Sequence, residues 1–93
     1  MRPELEDELG QRRAEPFPES VEKGSDYGRV DAVLVGADIV GWASRADFLD
    51  SIQRRSLREV ADALSQSLDT FPVDAKPCCE RLLRIARLAL VPD

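Results

Sequence analysis

The chain has 93 residues, a third of them charged, with 13 basic against 18 acidic side chains and a formal net charge of −5. That length suits one small domain, and the acidic balance argues against broad neutralisation of nucleic-acid phosphate. With no histidine and two cysteines, adjacent at Cys78 and Cys79, neither a four-ligand zinc site nor a disulfide framework is expected, and no cofactor is implied.

Adjacent cysteines on a helix point about 100° apart, so a bond between them would strain the intervening peptide. The expectation is two reduced, semi-buried thiols, in keeping with a cytoplasmic setting. No apolar run approaches the ~18 residues of a membrane helix, and the acidic start Met1-Arg2-Pro3-Glu4-Leu5-Glu6 does not read as a secretory signal.

In chain order, residues 1–28 carry 8 acids against 4 bases, with Pro3, Pro16, Pro18, Gly10, Gly24 and Gly28 and few large apolar groups. Such a composition buries too little surface to offset ordering entropy. It predicts a disordered or extended acidic N-terminal arm, with at most a transient turn or two of helix over Glu4–Arg13. Within it, Glu15-Pro16-Phe17-Pro18-Glu19 sets one aromatic between two prolines. This is an extended linker or a stiff docking motif presenting Phe17.

The folded part then spans 29–93. A first helix is expected over 31–45, capped by the Asp31 carboxylate and stapled by Val30 against Val35. Ala32–Ala37 also reads as a buried strand, but nothing else in the chain reads convincingly as its partner. A second helix over 50–71 starts at a capping-box pattern, Asp50 with Gln53. It carries Leu57, Val60, Ala61, Leu64, Leu68 and Phe71 on one stripe and stops at Pro72. A third, over 74–90, tolerates Pro77 in its first turn and ends before Pro92. Its Cys78, Cys79, Leu82, Leu83, Ile85, Ala86, Ala89 and Leu90 span about 160° of the wheel. The fold expected is an all-α three-helix bundle with the acidic arm attached.

Three features bear on function. The first helix is apolar over roughly 220° of its circumference, more than two neighbours cover, so Val35, Ile39 and Trp42 are expected to meet a partner or a second copy. The arm folding back over that surface is the alternative. Small residues four apart, Ala32 with Gly36 and Ala37 with Gly41, would permit close approach. The third helix carries Arg81, Arg84 and Leu88 on one side, with Arg87 nearby and a net of +3 over residues 76–91. This stretch is a solvated face near the helix C-terminus, a seat for an acidic segment such as the chain's own arm, or a nucleic-acid contact.

Arg54, Arg55 and Arg58 would serve a DNA-reading helix, but Asp47, Asp50, Glu59 and Asp62 offset them. Catalysis lacks a base for Cys78, and Gly36 and Gly41 fit no phosphate-cradling spacing. The chain therefore reads as a small non-enzymatic interaction or regulatory module presenting an apolar helical surface to itself or a partner protein. A nucleic-acid-associated regulator and a thiol-based redox switch are the alternatives. No small-molecule substrate is evident.

Overall fold

Helix α1 (Pro3–Ala14) opens on a proline, whose missing N–H costs nothing in a first turn. Glu4 and Glu6 lie near its positive end and Arg12 and Arg13 near its negative end, the arrangement favoured by the helix dipole. The protein is seen here in a computed structural model that describes residues 2–21, 26–28 and 30–91. Gly24, Arg29 and Pro92 lie outside the described residues.

After α1 the chain passes through Pro16–Pro18 to an antiparallel pair of two-residue strands, β1 (Asp26–Tyr27) and β2 (Val30–Asp31). Tyr27 stands opposite Val30, and Asp26 opposite Asp31. Gly28 makes the turn at φ +64°, a conformation that glycine adopts without steric penalty. A Cβ there would stand 2.7 Å from the hydroxyl of Ser67, so the turn also seats closely on the end of a later helix.

Helix α2 (Ala32–Ala43) follows at once. Asp31 caps it as expected, its carboxylate accepting from the backbone N–H groups of Val33 at 3.0 Å and Leu34 at 3.2 Å. Val30 and Val35, the two ends of the expected staple, are both buried. A short 3₁₀ turn (Ala46–Phe48) leads to α3 (Ser51–Gln66). The Asp50 carboxylate accepts from the Gln53 N–H at 2.7 Å, and the Gln53 side chain accepts from the Asp50 N–H at 3.0 Å, completing the capping box.

Helix α3 ends earlier than Pro72 alone requires. Ser67 is buried under the Gly28 turn, and the backbone tightens into a 3₁₀ turn (Leu68–Thr70). This swings Phe71 out of the helix line and onto the Tyr27 ring, 4.7 Å between centroids. A further 3₁₀ turn (Val73–Ala75) enters α4 (Lys76–Leu90), with Pro77 in its first turn.

Two expectations are corrected. Among the described residues the bundle has four α-helices, and the segment before residue 29 is not simply an extended arm: Pro3–Ala14 is helical and packs along α4. Leu5 and Leu9, one turn apart, are buried in the same core cluster as Leu57, Leu64, Leu82 and Ile85. Val21 is buried too, and Phe17 packs against the core. The Cα radius of gyration, 12.5 Å, is close to the ~13 Å of a packed 100-residue domain. Composition understated this segment because two leucines in register suffice when a complementary face is waiting; burying each stabilises by about 1.5–3 kcal/mol.

Helix α4 is therefore the central element. It packs on α1, α2 and α3, and seven of its residues are buried, among them Cys78, Cys79, Leu82 and Ile85. The wide apolar arc read from its sequence is the arc these three neighbours cover.

Candidate partner-binding surface

The register of α2 decides which of its residues face outward. Ala32, Val35, Gly36, Ile39 and Ala43, spaced by three and four, are buried. Val35 and Ile39, expected at a partner interface, instead fill the chain's own core, because α3 and α4 both pack on that side. Trp42 is half-buried and packs against the same core. The outward apolar residues are Val33, 47% exposed, then Leu34 and Ala37, with Val40 half-buried beside them.

The Pro16-Phe17-Pro18 segment lies alongside this outer face. Phe17 stacks on Phe71 at 6.1 Å between centroids, which ties the segment to the corner between α3 and α4. Between it and α2 runs an open groove of about 840 Å³, lined by Pro16, Phe17, Val21, Val33, Ala37 and Val40, with Arg12, Arg13 and Glu19 among its charged residues. Gly36 contributes by lacking a side chain. A Cβ there would stand 3.0 Å from a guanidinium nitrogen of Arg12 and 3.4 Å from the Phe17 ring. The close approach suggested by the small-residue spacing is made by these two side chains rather than by a second helix.

Arg12 lies over the Phe17 ring, its guanidinium carbon 4.8 Å from the centroid. Its Nε is buried and meets no acceptor. Burial pulls its pKa below the usual arginine range; the neighbouring cysteines oppose that shift and Arg81 adds to it. Two arginines of α4, by contrast, have acidic partners. Arg81 donates to Glu15 at 2.7 Å, and Arg84 Nε to Glu8 at 3.1 Å. Leu88 is half-buried beside Arg84 and Arg87, facing Glu4, Asp7 and Glu8.

The six residues expected to form one interface are thus divided. Val35 and Ile39 are internal, Trp42 sits at the edge of the core, and Arg81, Arg84 and Leu88 line the seat of α1. Of the readings of the basic stretch, an intramolecular seat for the chain's own acidic segment matches this geometry.

Cys78 is buried, with its sulfur 3.6 Å from the Pro16 carbonyl oxygen. Burial, with Cys78 adding, pushes the Cys79 thiol up to about 12, so it is protonated at neutral pH. Among the described residues no three His, Cys, Asp or Glu side chains gather as a metal site, and no helix is long and apolar enough to cross a membrane.

A second apolar feature was not anticipated. Phe48 is 86% exposed and Ile52 72% exposed, four residues apart at the corner between α2 and α3, with Asp47 and Asp50 exposed on either side of Phe48. The signal in the sequence was faint. Ala46 and Leu49 turn inward at the same corner, and a 3₁₀ turn has no periodic stripe by which the outward residues could be told from the inward ones. Comparison with protein-family models, curated proteins and solved structures finds no match.

Proposed function

We propose that this chain is a small non-enzymatic interaction module that presents a helical apolar surface to itself or to another protein. The surface is the outer face of α2 together with the groove beside Phe17. The observation that carries the reading is the groove itself: contiguous apolar side chains from α2 and the Pro-Phe-Pro segment stand open to solvent. Contiguous apolar surface of this kind marks interaction sites more often than scattered exposed residues do. Two further features favour a protein partner over the alternatives. Glu15 and Glu8 sit against Arg81 and Arg84, which offsets part of the positive charge that phosphate binding would use. The Cys79 thiol is buried and protonated, which disfavours thiolate chemistry.

The test is affinity capture from the source organism with tagged wild type and Ala37→Glu. Ala37 is exposed on the groove floor, so glutamate there places charge in the site without touching the core. The expected outcome is a bound protein, or captured copies of the chain itself, lost with Ala37→Glu. An identical set of captured proteins with both forms would refute this surface.

A further inference from the structure

We infer that the groove beside Phe17 binds a fatty acid, with the carboxylate on the Arg12 guanidinium and the alkyl chain along Phe17, Val33, Ala37 and Val40. The inference goes beyond the proposed function. The purified chain takes this ligand with no partner protein present, and a partner docking in the same groove has to displace it.

Arg12 carries the argument. The acids one turn away on its own helix are Glu8 and Glu15, at the spacings where helical side chains meet. Both are engaged elsewhere: Glu8 accepts from Arg84 at 3.1 Å and Glu15 from Arg81 at 2.7 Å. Arg12 reaches instead over the Phe17 ring to Gly36 of α2. Glycine is unfavourable in mid-helix, and at position 36 it leaves the room that the guanidinium occupies. Among the described residues Arg12 has no acidic partner, and its buried Nε meets no acceptor. Burial and the like charge of Arg81 both weigh against its charged form, and an anion beside it offsets both.

The rest of the lining selects the body of the ligand. About 840 Å³ lies within the ~300–1,000 Å³ of sites that hold small molecules, which are mostly apolar with a few polar groups to fix orientation. Apart from Arg12, Arg13 and Glu19, the lining has no polar side chain. Pro16 and Pro18 have no N–H, and the backbone of α2 is bonded within its helix. An extended peptide laid there leaves its own N–H and C=O groups unpaired, whereas an alkyl chain has none to satisfy. Two arginines against one exposed glutamate leave the lining net positive. A planar carboxylate matches a guanidinium in both charge and shape.

Decanoate and decanol are the probes, since they share a chain length and differ in the charge of the head. Heteronuclear NMR titration of the full chain reads backbone amides and arginine Nε–H signals together. Decanoate is expected to saturate with a Kd below about 1 mM, moving the amides of Val33, Ala37 and Val40 and the Arg12 Nε–H. Decanol is expected to bind at least about tenfold more weakly, the loss of one charge-assisted contact. Arg12→Gln is expected to bring decanoate down to the level of decanol. Ala37→Glu is expected to weaken both. Circular dichroism checks the fold of each variant, and Val33→Asp replaces Ala37→Glu if that variant unfolds. If Arg12→Gln unfolds, the decanoate–decanol difference on wild type and the Arg12 Nε–H shift carry the test.

No saturable binding of decanoate below about 1 mM overturns the inference. So do equal affinities for decanoate and decanol, shifts centred on Phe48 and Ile52 instead of the groove, or a folded Arg12→Gln that binds decanoate as wild type does. An acidic amphipathic peptide that binds the groove where decanoate does not would remove this inference and leave the proposed function standing.

Discussion

At Gly28 and Gly41 the same residue type plays opposite parts. Gly28 holds φ +64° and faces the buried Ser67 hydroxyl, so Gly28→Ala meets both backbone strain and a clash. We expect it to lower stability by about 1–3 kcal/mol in urea denaturation. Gly41 lies within α2 with nothing within 4 Å of the position its Cβ would take. Gly41→Ala is expected to raise stability by up to about 1 kcal/mol, through helix propensity alone. Equal midpoints for the two variants would show that the turn does not seat on Ser67.

Cys79 gives a pH signature at the same scale. Its thiol ionises near 9.0 when unperturbed and near 12 in the fold. The folded state therefore holds a proton that the unfolded chain releases first. This contribution to stability is complete below pH 9 and is lost as pH rises from 9 to about 12. Denaturation midpoints of wild type are expected to fall more steeply over that window than those of Cys79→Ala. Parallel slopes would mean that the thiol is reached by water.

Among the elements, α1 is the one whose attachment can be divided between apolar and ionic parts. Leu9 is buried against the core, and Leu9→Ala is expected to cost about 2–5 kcal/mol. The Arg84–Glu8 pair is partly solvated, and Arg84→Ala is expected to cost no more than about 1 kcal/mol and to lose that effect in high salt. Amide exchange at Leu9 in wild type and Leu9→Ala would show whether the leucine holds the helix down. If Arg84→Ala released α1 and Leu9→Ala did not, the seat would be electrostatic. The elements after residue 29 were legible because each announces itself locally, as with Asp31 beside free N–H groups or Asp50 and Gln53 in a reciprocal cap. The first helix also carried local signals, with Pro3 at its start, acids before bases, and Leu5 and Leu9 four apart. Its acidic composition and flanking prolines mask them.

For the molecule as a whole, the position of α4 predicts cooperativity. Helices α1, α2 and α3 all pack on it, and one buried cluster runs from Leu5 to Ala89. Unfolding followed by far-ultraviolet circular dichroism, which reports all helices, and by Trp42 fluorescence, which reports the α2 edge of the core, should give one coincident transition. An early dichroism change at constant fluorescence would show α1 leaving as a separate unit.

Helix class, caps and the inner stripes of α3 and α4 followed from the chain alone, because they depend on contacts within a turn or two and on a period of 3.6 residues. Which apolar residues of α2 remain at the surface did not. A helix that is apolar over most of its circumference does not say which side its neighbours will take, and that choice rested on where α3 and α4 came to lie. The same holds for the aromatic contacts of Phe17 and Tyr27 with Phe71, and for the pairing of Glu8 and Glu15 with the α4 arginines. These join residues more than forty positions apart, and no local pattern encodes such a meeting. It arises once burial of Leu5 and Leu9 lays α1 along α4, bringing opposite charges and aromatic rings into reach.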